Sequence, residues 1–135
     1  PVGGTLVSAS YVPGDLFSVN AATAMHVPGL FRRNERLILN MATGQGPVAV
    51  ILVGALNVGS ISTPWSGEIR PRSSGVVENI ELGDEVHVEK GDLLGWFNMG
   101  STVILLAPRE SLEWDDVMRA GSTVRMGEQI GRLNG

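Results

Sequence analysis

The sequence predicts an all-β or β-rich fold, a sandwich-like closed sheet with at most short helices. Three observations predict it. Eighteen glycines and seven prolines cut the chain into short apolar runs, which favours strands over helices. Arg36, Ile38 and Asn40 alternate with Leu37, Leu39 and Met41, the period-2 signature of a half-buried strand. Two later stretches echo one another as glycine turns that lead into strands. At 135 residues, 43% of them hydrophobic, the chain has the size of one domain, residues 1–135, with enough length for a core.

Taken in order, Thr5 to Val12 alternates in part and stops at Pro13-Gly14-Asp15, a turn signal. Leu16 to Asn20 reads as extended chain or a tight bend. If it is extended, Ser18 and Asn20 share one side while Phe17 and Val19 point into the core. Ala21 to Met25 suffices for one helical turn. Val27-Pro28-Gly29-Leu30-Phe31 reads as loop, because proline disfavours helix in the residue before it. Glu35 to Met41 is the alternating strand, and Thr43-Gly44-Gln45-Gly46 is a hairpin connection. Val48 to Val53 is apolar on both faces, as a central buried strand would be. Gly54 and Gly59 bracket Ala55-Leu56-Asn57-Val58, where isolated glycines indicate bulges or close backbone approach. Ser60 to Thr63 and Gly67 to Arg70 continue the β pattern, with Trp65 between them.

The echo joins Gly83-Asp84-Glu85-Val86 and Gly91-Asp92-Leu93-Leu94-Gly95 to Gly121-Ser122-Thr123-Val124 and Gly127-Glu128-Gln129-Ile130-Gly131. Each copy has glycine, valine three residues on, then Gly-acid-x-aliphatic-Gly and a strand. Two copies are too few for a solenoid. They suit the paired short strands of a hammerhead-type, barrel-sandwich architecture. Between them Pro108 to Ala120 is charged, and Ser111-Leu112-Glu113-Trp114 reads as the start of a short helix.

The formal net charge of −4 and pI near 5.1 argue against a nucleic-acid footprint. Arg32, Arg33 and Arg36 cluster but are interrupted by Asn34 and Glu35. That pattern reads as a solvated turn, with a lipid head group as the second reading. With no cysteine there is neither a disulfide nor a thiolate metal site, and His26 and His87, far apart, make a poor case for a metal. The longest apolar run, Pro47 to Leu56, is roughly half of what a membrane-spanning helix needs. The chain begins at Pro1, without a methionine or a signal-peptide pattern, and reads as a fragment or a processed product.

Few side chains invite chemistry. His26 lies in a proline-flanked loop and reads as a surface or boundary histidine. His87 alternates with Glu85 and Glu89 and belongs on a wet face. Asp84 and Asp92 follow glycines and are explained as turn caps. Asp115 and Asp116 are adjacent, and adjacent carboxylates seldom converge. Gly44-Gln45-Gly46 lacks the lysine and helix of a phosphate loop.

That leaves Phe97-Asn98-Met99-Gly100-Ser101-Thr102 ahead of the apolar run Val103-Ile104-Leu105-Leu106. The bland reading is a glycine bend with polar residues at a strand edge. The sharp reading is a self-processing bond. The Ser101 hydroxyl attacks the Gly100 carbonyl and turns the amide into an ester. Elimination at the serine α-carbon releases the upstream chain, and the dehydroalanine left behind hydrolyses to a pyruvoyl group and ammonia. This requires a small residue before the serine, which Gly100 supplies, and a site that holds the bond in reach.

Other blocks accompany it in order. They are Tyr11-Val12-Pro13-Gly14-Asp15-Leu16-Phe17-Ser18-Val19-Asn20, then Val27-Pro28-Gly29-Leu30-Phe31 with Arg33-Asn34-Glu35-Arg36. Val53-Gly54-Ala55-Leu56-Asn57-Val58-Gly59-Ser60-Ile61 follows, and then Met99-Gly100-Ser101-Thr102-Val103-Ile104. In this order they resemble the bacterial phosphatidylserine decarboxylases, over nearly the whole chain. Met99 stands where that family usually has leucine, a volume-conserving exchange.

The resemblance implies a proenzyme that cuts itself between Gly100 and Ser101 into a β chain, here residues 1–100, and a partner α chain, residues 101–135, whose first residue becomes the pyruvoyl cofactor. It implies a Schiff base between that ketone and the amine of phosphatidylserine in the membrane. Carbon dioxide is then lost and phosphatidylethanolamine is released, with the pyruvoyl group as electron sink. It implies peripheral attachment to the cytoplasmic face of a bacterial membrane, and it is compatible with a homo-oligomer. Ser18 and Asn20 are the candidate substrate contacts, because a zwitterionic head group needs neutral hydrogen-bonding groups. One departure matters. The family's histidine motif, its aspartate and its membrane-docking helical segment lie upstream of the segment matching Pro1. The chain therefore reads as a C-terminal portion that holds the serine and lacks the base.

Two other functions stay open on the residues. A non-catalytic hammerhead-type carrier would present Lys90, the only lysine, at a turn, although its flanks do not fit. A pyruvoyl decarboxylase of a soluble amino acid would use the same chemistry on another substrate.

Overall fold

A computed structural model describes residues 1–56, 60–71 and 75–134. It is strand-rich, as predicted. The main sheet is built from β1 (Gly4–Val12), β2 (Arg36–Thr43), β3 (Gly46–Val53), β6 (Glu78–Ile80), β7 (Val86–Val88) and β9 (Thr102–Leu106). Its order is β6-β1-β2-β3-β9, with β7 also paired to β1. A second sheet has β4 (Ile61–Thr63) between β5 (Gly67–Ile69) and β8 (Trp96–Phe97), and β10 (Leu112–Trp114) pairs with β11 (Gly131–Leu133). All these pairings are antiparallel. Among the described residues the main sheet runs as an open path, so the expected closure into a barrel is not seen.

The alternation in β2 does what its pattern requires. Leu37, Leu39 and Met41 are buried, while Arg36, Ile38 and Asn40 are not. β3 lies between β2 and β9, the central position expected from its apolar run. Thr43 pairs with Gly46 across Gly44 and Gln45, and Gly46 adopts φ 107°, a conformation open to glycine. The imperfect alternation of β1 has a cause. A bulge between Leu6 and Ser8 turns Val7 outward and lets both Leu6 and Ala9 face the core. Ile61 and Ile69 of the second sheet join Leu6, Leu39, Val50 and Leu52 of the first in one cluster, which is the sandwich.

The helices are short. α1 (Ala21–His26) starts at Asn20, whose Oδ1 accepts from the Thr23 N–H at 2.8 Å. α2 (Leu30–Arg33) occupies part of the stretch expected to be loop. Gly29 begins it at φ 65°, and Leu30 anchors it in the interior at 2% exposure. Ser111-Leu112-Glu113-Trp114 is not the start of a helix. Leu112, Glu113 and Trp114 form β10, because Leu133, Arg132 and Gly131 lie opposite them. No described helix is long and apolar enough to cross a membrane.

The sequence echo is structural. Gly83, Gly91, Gly121 and Gly127 all have positive φ. In the first copy the Asp92 carboxylate accepts from the Glu89 N–H at 2.7 Å, and the Asp92 N–H bonds the Glu89 carbonyl at 3.1 Å. In the second, Glu128 makes the same two bonds to Arg125, both at 3.0 Å. Asn57, Val58 and Gly59, for which a bulge or close approach was expected, lie outside the described residues, as does Gly135.

Candidate functional site

Val53 ends β3 and pairs with Thr102, the first residue of β9. Ser101 is therefore delivered to the end of the central strand, one residue beyond the ladder. It is half-buried, and its hydroxyl donates to the Val53 carbonyl. Gly100 is exposed, and a Cβ built on it would meet nothing within 4 Å. Position 100 thus has open space beside its α-carbon. Asn98 Nδ2 donates to Ser60 Oγ, which ties the approach to Ser101 to the start of β4. Met99 is 56% exposed, so a leucine-to-methionine exchange is tolerated here for lack of neighbours rather than for matched volume.

The strand end rests on a buried polar layer. Gly54 N–H donates to the Glu35 carbonyl at 2.8 Å, and Asn34 Nδ2 donates to the Gly54 carbonyl at 2.9 Å. Asn34 also clasps Phe17. It accepts from the Phe17 N–H at 2.9 Å and donates to the Phe17 carbonyl at 2.8 Å. Asn34 is 0% exposed and Glu35 1%. Glu35 Oε2 accepts from the Tyr11 hydroxyl at 2.7 Å, while Oε1 has no hydrogen-bond partner among the described residues. Burial raises the Glu35 carboxyl above its ordinary value of 4.5, and the Tyr11 hydrogen bond opposes this less strongly. The side chain presses so close to Gly54 that a Cβ there would lie 2.5 Å from Glu35 Cγ and 2.6 Å from Oε1. Glycine is the residue this approach permits.

Ser18 and Asn20 do share polar contacts, with Asn20 Nδ2 donating to Ser18 Oγ at 3.0 Å. Asn20 is also committed to capping α1. Neither hydrogen-bonds Ser101. They connect to its strand end through Phe17 and Asn34. Phe17 does not enter the core as expected. Its ring carries the Arg33 guanidinium 4.5 Å from the centroid, and Arg33 also pairs with Asp15 at 3.1 Å.

Among the described residues, none of the remaining candidates is hydrogen-bonded to Ser101. His26 donates through Nδ1 to the Ala22 carbonyl at 2.7 Å. His87 is exposed on β7, between Thr5 Oγ1 at 3.3 Å and Glu89 at 3.5 Å, on the wet face expected for it. Asp115 accepts from Gln129 Nε2 at 3.2 Å, and Lys90 is exposed in the turn that Asp92 caps. Reading the sequence missed the structural weight of Asn34, Glu35 and Tyr11. Polar residues among arginines look solvated. The available signal was Gly54, whose predicted close approach is to Glu35.

Comparison with known proteins gives this geometry its context. A family model described as phosphatidylserine decarboxylase matches residues 1–132. A Marinobacter nauticus protein named phosphatidylserine decarboxylase proenzyme is 47% identical over 135 residues, 99% of this chain and 47% of the relative. Proteins of the same name from Saccharophagus degradans and Methylococcus capsulatus are 46% identical over 134 residues and 48% identical over 132. The match covers 98% and 97% of this chain, and 47% and 46% of those relatives. The chain thus spans about half the length of the curated relatives it matches. A serine held at a strand end after an exposed glycine and a match over nearly every residue lead to one conclusion: the chain belongs to the phosphatidylserine decarboxylase family.

Proposed function

We propose that this chain carries the prosthetic-group residue of a pyruvoyl-dependent phosphatidylserine decarboxylase, and that it does so within a longer proenzyme. The observation that carries the reading is the Ser101 hydroxyl held at the Val53 carbonyl, directly after an exposed glycine, in a chain of this family. Ser101 Oγ adds to the Gly100 carbonyl carbon and the amide nitrogen leaves, giving an ester. Loss of the serine α-proton expels the Gly100 carboxylate. Water then replaces the nitrogen, and ammonia departs.

The residues present fit the product. A pyruvoyl group at position 101 would keep the place of the serine backbone, one residue before β9. When formed, the group supplies an electrophilic carbonyl that draws electrons from the breaking carbon–carbon bond of the substrate. The chain's own residues hold and orient it. Val53 fixes the hydroxyl direction before cleavage. Its carbonyl accepts a hydrogen bond but is far too weak a base to remove the proton, so the general base is supplied by the rest of the full-length protein.

Ser18 and Asn20 are proposed as contacts for the head group, since the Phe17–Asn34–Gly54 contacts tie their loop to the end of β3. Phosphatidylserine reaches them at a membrane. Met25 at 77% exposure and Phe31 at 37%, beside Arg32, offer apolar side chains and a cation to a lipid surface.

The test is mass spectrometry of the purified full-length protein. Two chains are expected, the smaller resistant to Edman degradation, together with release of carbon dioxide from phosphatidylserine. Ser101→Ala should abolish both cleavage and decarboxylation. A single intact chain after long incubation overturns the reading. Turnover of free serine instead of the phospholipid would replace the substrate and keep the chemistry.

A further inference from the structure

The Asn34 side chain is fully buried, yet its bonds go to backbone groups of two separate segments. It closes a two-point clasp on Phe17, through the N–H at 2.9 Å and the carbonyl at 2.8 Å. Its remaining amide proton goes to the Gly54 carbonyl at 2.9 Å. One segment carries Ser18. The other is continuous with Val53, whose carbonyl holds the Ser101 hydroxyl. The backbone around Asn34 reinforces the arrangement. Asp15 N–H donates to the Arg33 carbonyl at 2.8 Å, and Glu35 N–H donates to the Asp15 carbonyl at 2.9 Å. The approach at Gly14 is so close that a Cβ would lie 2.2 Å from the Arg33 carbonyl oxygen.

We infer that Asn34 is a positioning residue: its amide sets the Ser18-bearing loop against the end of β3 and thereby places Ser101 for self-cleavage and the head-group loop for substrate. This rests on the functional reading above. The chemistry explains why asparagine is required. An amide accepts once and donates twice from a single planar group. Aspartate would still accept from Phe17 N–H, but it would set a carboxylate oxygen against the Phe17 and Gly54 carbonyls. Leucine, of similar size, would leave the buried Gly54 carbonyl and the partly buried N–H and carbonyl of Phe17 without this partner. Each loss falls on the geometry between two segments and not on the core cluster, in which Asn34 has no part.

The experiment compares N34D with L39A in the full-length proenzyme. Leu39 is 0% exposed in the core, and its truncation loosens the sheet without touching either segment's backbone bonds. Melting temperature, self-cleavage rate and, for the cleaved fraction, KM and kcat on dispersed phosphatidylserine are measured for both. A misplacement of about 1 Å at a reacting centre costs on the order of 10²-fold in rate. N34D should therefore cleave on the order of 10²-fold slower than wild type, whereas L39A, with a similar or larger fall in melting temperature, cleaves within a few-fold of wild type. KM should rise in N34D and not in L39A. If N34D does not fold, N34S, which keeps a small polar group and adds no charge, is read by the same comparison. Equal cleavage rates at matched loss of melting temperature, or a rate loss in N34D that only tracks its stability, overturn the inference. An uncut wild-type protein would instead overturn the functional reading.

Discussion

Replacing Glu35 by glutamine tests how the layer under Ser101 is held. Glu35 is 1% exposed, with Tyr11 as the one hydrogen-bond donor to its carboxylate and Oε1 unpaired among the described residues. Two effects compete. Taking a carboxylate out of water costs several kcal/mol, about 1 kcal/mol or more beyond what one donor returns, since a hydrogen bond to a charged group contributes roughly 1.5–3 kcal/mol. Burial therefore wins, and the carboxyl is held above 4.5 in the folded chain.

The sign for stability follows from proton counts. Between 4.5 and the folded value, the folded state binds more protons at Glu35 than the unfolded state does. Stability contributed by this group is then complete below 4.5 and is lost as pH rises through the folded value, with a limiting slope of about 1.4 kcal/mol per pH unit. Glutamine cannot titrate. Its Oε1 can still accept from Tyr11, and whatever its amide N–H groups cost or contribute at the place of Glu35 Oε1 does not change with pH, so it enters as a constant offset. The wild type should therefore lead E35Q most at pH 4.5, and the gap should shrink or reverse by pH 8. Urea unfolding of both proteins in half-unit pH steps measures this, because titrations elsewhere cancel in the difference. Parallel stability curves across that range would refute the reasoning. A gap that widens with pH would show that Tyr11 outweighs burial.

Two further outcomes are expected. The 135-residue chain alone should keep Ser101 as serine, since Val53 accepts but cannot deprotonate it and general-base help is worth roughly 10²–10⁴-fold; rapid self-cleavage of this chain, seen as two masses, would place a base within it. Ser18→Ala in the cleaved full-length enzyme should raise the phosphatidylserine concentration for half-maximal rate and leave the Gly100–Ser101 cleavage rate unchanged. A cleavage defect, or an unchanged KM, would remove Ser18 from the head-group site.

What could be read in the sequence is what a single strand or turn decides for itself. β2 announced its buried face by alternation. β3 announced its central position by being apolar on both faces. Asp92, read as a turn cap because it follows glycine, caps the residue three before it, and Glu128 makes the same bond in the echoed turn. Two of the misreadings involve a partner remote in sequence. Leu112-Glu113-Trp114 is too short to show a period, and it is a strand because β11 lies opposite. Phe17 looked like a core residue, but its ring is covered by Arg33. Pro28 made the stretch up to Phe31 look like a loop, whereas Gly29 at positive φ starts α2 directly after it and buried Leu30 anchors it.

The site divides along the same line. Ser101 was legible as a candidate because the Gly100-Ser101-Thr102 step stands in order with the other blocks that resemble the family, whereas the step alone reads equally as a strand edge. Asn34 was not, because an asparagine between arginines acquires a role only when Phe17 and Gly54 are brought to it from either side. Yet the two residues meet on one strand end. Ser101 bonds Val53 and Asn34 bonds the next carbonyl, Gly54. Side chains that fix adjacent peptide carbonyls act on a common backbone, so a shift of one is felt by the other. The carbonyl that holds the Ser101 hydroxyl is therefore coupled through Asn34 to a loop that precedes Ser101 by more than 80 residues, a link that no local motif around Ser101 encodes.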